Sequence, residues 1–239
     1  MTPSGGTLTA LVGLLTLRLT IDGTFTRYVQ SGMRPWLLLA GVALFALGLF
    51  GLVIALRSHD EGAGDEADGY DDEHEDEHED EHGVGVGWLL LAPVVTLLVV
   101  APPSLGSYGV DRSPPIRITA GKSDLPALDP SGGPVEMTLL EYTERAFDHD
   151  GESMRDATVE LTGFVSADGS GTFDLARYQI ACCAADAAAA VVHIVGVAST
   201  PPRDQWVTVT GAYSSGSSDV PELAATSLQE ISAPKDPYE

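Results

Sequence analysis

The pattern of apolar and polar positions divides the chain into an apolar first part and a β-patterned last part. Residues 7–22 (TLTALVGLLTLRLTID), 35–56 (PWLLLAGVALFALGLFGLVIAL) and 84–105 (VGVGWLLLAPVVTLLVVAPPSL) are long hydrophobic runs. A bilayer-crossing helix needs about 20 apolar residues, and the second run meets that length without a charge. Trp36 stands near its start, and Arg34 and Arg57 bracket it, as at the interfaces of a spanning helix. The third run is also uncharged. Trp88 lies at its entry, Pro102 and Pro103 at its exit, and Pro93 within it is a kink that membrane helices tolerate. The first run contains Arg18, which can snorkel to an interface or pair with a partner helix. A signal peptide is the alternative there, although no basic stretch precedes it. The expectation is a membrane α-helical N-terminal region of two to three spans.

The pattern changes after residue 105. Residues 106–134 are rich in Pro, Gly and Ser and read as a linker. Residues 135–150 (VEMTLLEYTERAFDHD) predict a helix with Leu139, Leu140, Thr143 and Phe147 on one face, and Thr138 with Glu141 forms a capping box. Strand-like runs follow at 157–167, 172–183, 189–197, 205–215 and 221–231. Their number, shortness and lack of helical alternation predict a small mainly-β domain, an OB-like five-stranded barrel preceded by one helix. The segments TGFV and TGAY each place a glycine within a strand, where a bend or bulge needs one. The predicted organisation is 1–58 for the first two hydrophobic segments, 59–83 for an acidic loop, 84–105 for a third span, 106–134 for the linker and 135–239 for the β domain.

Charge sharpens this picture at one place. The formal net charge is -23, from 12 Lys+Arg against 35 Asp+Glu. So acidic a chain has no basic face for phosphates, which points away from nucleic acid. Residues 60–82 hold fourteen of the acids and no Lys or Arg. Within them, DDEHEDEHEDEH sets His74, His78 and His82 four residues apart. So dense a run of like charge favours disorder in the free chain. If it turns helical, the three histidines line one face with Glu75 and Glu79, or Glu77 and Glu81, beside them. Imidazole and carboxylate are both ligands for zinc, nickel, cobalt or manganese, and histidine also titrates near neutrality. The loop is therefore a candidate weak, exchangeable cation site; the plainer reading is a solvated acidic spacer.

The two cysteines, Cys182 and Cys183, are adjacent, which excludes a disulfide framework. In a strand their side chains would point to opposite faces. Cys183 and Asp186 form a candidate pair, either as metal ligands, which His193 on the next strand can complete, or as a redox-sensitive thiol. Alternatively, Cys183 is a small core residue and Asp186 a turn cap. The FDHDGE segment, 147–152, is rich in oxygen ligands but lacks the twelve-residue calcium pattern, and reads as a surface turn. No P-loop, dinucleotide fingerprint, Gly-x-Ser-x-Gly or His-Glu-x-x-His is present, so nothing in the spacing groups residues for catalysis, and the expectation is a protein that is not an enzyme.

The order of these parts, with VELTGFV, YQIACCAADA, QWVTVTGAY and a KDPY tail in the β domain, resembles a bacterial family of uncharacterised membrane proteins regarded as permease subunits. The likeness covers nearly the whole chain. Its most specific element is Cys183-Ala184-Ala185-Asp186, followed by the strand led by Trp206. The resemblance implies partnership with a larger multi-span permease subunit in the bilayer and, for some members, a link to divalent metal (zinc) homeostasis. This loop has histidines but no cysteine and many more carboxylates, which argues for poorly selective binding. The expected function is a non-enzymatic accessory subunit of a membrane permease complex. The alternative is a membrane-anchored module whose OB-like domain recognises a peptide, glycan or protein. With three spans, the 23–34 loop and the C-terminal domain share one side, and the Arg/Lys count favours that side as cytoplasmic and the acidic loop as external.

Overall fold

The structure, a computed structural model, describes residues 3–61, 93, 96, 103–110, 112, 116, 125–169, 171–215 and 220–239. Its chain forms two compact units. One comprises Met1–Phe25 and Gly32–Pro103, the other Thr26–Ser31 and Ser104–Glu239. The short segment that joins the first two helices therefore belongs to the C-terminal unit.

In the first unit, α1 (Pro3–Ile21) and α2 (Arg34–Glu61) pack together. Glycines seven residues apart on each helix make the seam. A Cβ at Gly13 would strike the backbone of Phe45, and one at Gly48 the backbone of Ala10, while Gly41 faces Leu17. Two turns separate such positions, so they share one helix face, and the missing side chains let the backbones meet, as small residues do between membrane helices. The threonines of α1 remain compatible with apolar surroundings because Thr9, Thr16 and Thr20 each donate to the carbonyl four residues earlier, at 2.9, 2.9 and 2.7 Å. Arg18 lies 3.7 Å from Asp22 at the end of α1. Trp36, Leu39, Val42, Phe50 and Ile54 of α2 are exposed. The stretch Ser31–Arg57 is long and apolar enough to cross a membrane, whereas Gly5–Ile21 is a shorter apolar helix. The acidic loop and the third hydrophobic run fall outside the described residues, apart from Pro93, Thr96 and residues 103–105.

The C-terminal unit is a mixed six-stranded sheet with one main helix, α3 (Leu139–Phe147). Its strands are β1 (Val135–Glu136), β2 (Thr158–Gly169), β3 (Thr172–Gln179), β4 (Ala188–Val195), β5 (Trp206–Ser214) and β6 (Glu222–Ile231). They lie in the order β1-β2-β3-β4-β6-β5, and β5 also pairs with β2. The pairs β1–β2 and β4–β6 are parallel and the rest antiparallel. The five long strands follow the predicted runs, except that β3 stops four residues early, at Gln179. The two-residue β1 is an addition, too short to leave a period-2 pattern. Within the predicted linker, Ser107–Val110 forms a single helical turn.

Alternation places Phe173 and Leu175 of β3, Val192 and Ile194 of β4, and Val207 and Val209 of β5 in one buried core. The helix starts where expected, with Thr138 Oγ1 accepting from the Glu141 N–H at 3.0 Å. Its buried face differs from the expected one. Leu139, Tyr142, Thr143 and Ala146 are buried, whereas Leu140 and Phe147 are half-buried. Tyr142 is amphipathic, and its hydroxyl donates to the Glu222 carbonyl at 2.6 Å, so the ring enters the core with its polar end satisfied. Of the two strand glycines, Gly211 sits at a bulge as expected, whereas Gly163 serves a close approach of strands. Gly211 lies beside the register shift between β5 and β6, and a Cβ on Gly163 would press on the Ala176 carbonyl. A second cluster stacks Phe164 on Tyr178, with centroids 5.8 Å apart, and sets Trp206 edge-on at 5.5 Å.

The last residues close over this cluster. Tyr178 and Ile180 bracket Glu239 by backbone bonds, and buried Tyr238 donates its hydroxyl to the Arg27 carbonyl at 2.8 Å. Replacing Tyr142 by Phe leaves the Glu222 carbonyl without this donor. The substitution should destabilise the C-terminal unit by about 1–2 kcal/mol, read as an earlier thermal loss of its β circular dichroism signal.

Candidate metal centre

Strand β3 ends at Gln179, paired with Ala188 at the start of β4. The eight residues between them form a loop. Cys182 and Cys183 therefore lie beyond the strand, which overturns the expectation of strand-like alternation through residue 183. The N–H groups of Ala181, Cys182 and Cys183 are taken by the Asp186 carboxylate and not by a neighbouring strand, which is the physical reason the ladder stops earlier. Cys182 is exposed and Cys183 half-buried, both as free thiols, so neither is a core residue.

Asp186 organises the loop. Its Oδ1 accepts from the Ala181 N–H at 2.9 Å, and its Oδ2 accepts from the N–H groups of Cys182 at 2.9 Å and Cys183 at 3.3 Å. A carboxylate holding several N–H groups is stabilised in its charged form. Together with the Cys182 thiol, the largest contributor, they hold Asp186 down to about 2. The same contact pushes the Cys182 thiol up to about 12, because the proton it shares with a carboxylate is costly to remove, and its hydrogen bond with Cys183 adds to the effect. Because the Asp186 pKa is depressed, its contribution to loop stability is complete above about pH 4. That contribution is lost as the pH falls through about 2.

The ligand atoms of Cys182, Cys183 and Asp186 all lie within 4.8 Å of one another. The two sulfurs are 3.6 Å apart. Two thiolates on a tetrahedral zinc with bonds of about 2.3 Å stand roughly 3.8 Å apart, so little movement would be needed to share an ion. The structure thus brings Cys183 and Asp186 together as expected and adds Cys182, which had been set on the opposite face. Only the early end of β3 distinguishes these arrangements, and Asp186 three residues after Cys183 is its one sequence signal.

His193 lies elsewhere. Its Nδ1 is 2.7 Å from Asp174 Oδ1 across β3 and β4, in register with each other. That pair is five residues from the loop end of β3, about 16 Å along the strand. The adjacent register position on β6 is Glu222, whose Oε1 accepts from Ser214 Oγ at 2.7 Å, giving a polar row across four strands. The FDHDGE segment is a tight turn, with His149, Asp150 and Gly151 at φ values of 47°, 57° and 71°. His74, Glu75, His78, Glu79 and His82 lie outside the described residues.

The cysteine loop has one more partner. Val29 and Cys183 form an antiparallel bridge, the Gln30 N–H donates to the Cys182 carbonyl at 3.1 Å, and the Ala184 N–H donates to the Tyr28 carbonyl at 2.8 Å. Residues 28–30 belong to the segment between α1 and α2. No local pattern announces a pairing between residues so far apart in sequence.

An apolar helical region and a small mixed β unit with a thiol–carboxylate loop define the class of protein. The N-terminal domain model of the DUF1980 family matches residues 7–113 and its C-terminal domain model matches residues 140–239. Together the models span most of the chain, which belongs to the DUF1980 family. A search of curated proteins returns no match.

Replacing Asp186 by Asn removes the negative charge that holds the Cys182 proton. Cys182 should then ionise at lower pH, toward the ordinary thiol value of about 8.5. Its alkylation by iodoacetamide at pH 8 should accelerate; an unchanged pH profile would refute the contact.

Proposed function

We propose that the chain is a non-enzymatic accessory subunit of a membrane permease complex whose C-terminal domain binds a thiophilic divalent cation, with zinc the leading candidate. Cys182, Cys183 and Asp186 are the proposed ligands. The acidic loop, through His74, His78 and His82 with Glu75 and Glu79, gathers cations weakly near the lipid surface. The observation that carries the reading is the 3.6 Å separation of two sulfurs beside a carboxylate. Both thiols coordinate as thiolates, so binding exchanges their protons for the ion.

The domain bearing this site is read as a five-stranded barrel of the OB type. Support comes from the ring of pairings β2-β3-β4-β6-β5 back to β2, with β4 and β6 parallel. The apolar helices anchor the protein in the cell membrane as a multi-pass protein. Inclusion of residues 26–31 in the C-terminal unit supports a common side for that segment and the domain, and the Arg/Lys count favours the cytoplasm. A second reading, a membrane-anchored module recognising a peptide, glycan or protein, is favoured by the polar row Asp174, His193, Glu222 and Ser214.

Zinc calorimetry on the detergent-solubilised full chain tests the cation site. Cys182→Ser with Cys183→Ser should abolish the tighter binding event, while deletion of 71–82 should remove only weak, multi-ion binding. An isotherm unchanged by the double substitution would sink the cysteine site. One unchanged by the deletion would end the loop's role. Because the Cys182 thiol is held protonated at neutral pH, zinc affinity should rise with pH between about 6 and 9, by at least about tenfold per unit for the Cys182 proton alone. Purification in mild detergent should recover a multi-span partner; its absence would leave the binding-module reading.

A further inference from the structure

The backbone bonds around the cysteines serve two segments at once. The Cys182 carbonyl accepts from Gln30, and the Ala184 amide donates to Tyr28, on either side of the bridge between Cys183 and Val29. The residues proposed to hold the ion are therefore the residues to which the segment joining α1 and α2 is paired. An ion shared by Cys182 and Cys183 restricts the backbone dihedrals of both. The same dihedrals aim the Cys182 carbonyl at Gln30 and set Cys183 opposite Val29.

We propose that cation occupancy at Cys182, Cys183 and Asp186 is transmitted to residues 28–30 through this backbone pairing, so that the connection between the two apolar helices reports whether the site is filled. This regulation rests on the metal reading above. The route is short and needs no rearrangement of the sheet: the Asp186 carboxylate sets the loop, the loop presents one carbonyl and one amide, and the segment between the helices takes both. Ordering one side lowers the entropic cost of ordering the other. Coupling between binding equilibria is reciprocal, so weakening the pairing must weaken the ion.

Two measurements on the full chain in detergent test this. In wild-type protein, saturating zinc should slow hydrogen exchange at the Gln30 and Ala184 amides together with the 181–186 loop. Replacing Gln30 by Pro removes the donor N–H, and Gln30→Ala keeps it. Neither residue is a proposed ligand. Gln30→Pro should weaken zinc about fivefold or more, within the usual range of allosteric coupling, while Gln30→Ala should bind as wild type. Zinc binding that protects only 181–186 and leaves Gln30 exchange unchanged would overturn the coupling, whatever the folding of the proline variant. Equal affinity in a folded Gln30→Pro protein would do the same. Absence of any cysteine-dependent zinc binding would instead bring down the metal reading, and this inference with it.

Discussion

The three N–H bonds accepted by the Asp186 carboxylate are the constraint on which the candidate site depends. They bend the chain after β3 so that two neighbouring thiols, which a strand would send to opposite faces, come within 3.6 Å. They also leave the Cys182 carbonyl and the Ala184 amide directed away from the loop, free to pair with residues 28–30. One carboxylate thus determines both the chemistry of the loop and its attachment. The thiol proton that Cys182 shares with it is the reserve against which any cation must compete.

Much of the C-terminal unit was legible in the sequence because its physics is local. Alternating Val, Ile, Leu and Phe located the five long strands, and Thr138 with Glu141 located the helix start. Tyr142 was harder to place. It was not among the face residues the pattern named, and only a carbonyl from β6 supplies the partner that lets its ring be buried. The cysteine loop was legible in part. Cys183 and Asp186 are three apart, a spacing that a turn brings together, but Cys182 joins them only because β3 stops at Gln179. The pairing with Tyr28, Val29 and Gln30 was not legible, because backbone bonds carry no side-chain signature.

The ligand chemistry separates the two regions singled out in the sequence. The acidic loop offers imidazole and many carboxylates, a donor set that hard and borderline ions share and that confers little selectivity. The cysteine loop offers two sulfurs and one carboxylate, which favours thiophilic ions. Net negative charge near a membrane raises the local concentration of any cation, whereas the thiols choose among them. On the proposed reading, a weak, unselective collector and a selective site would be complementary parts of one subunit.

On the proposed reading Asp186 must also reconcile two roles, staple and ligand. A carboxylate has about four acceptor positions, and three are engaged by backbone N–H groups: one on Oδ1 and two on Oδ2. The fourth faces the Cys182 thiol proton, so an ion that displaced that proton could use it without release of the loop. With two sulfurs and one oxygen, a tetrahedral cation would have three protein ligands and one open position. Closed four-ligand sites serve structure, whereas sites with an open position admit exchange with an incoming ligand. An ion held in that way could be passed on, which is the behaviour that the proposed accessory role would need and that a purely structural zinc site would not have.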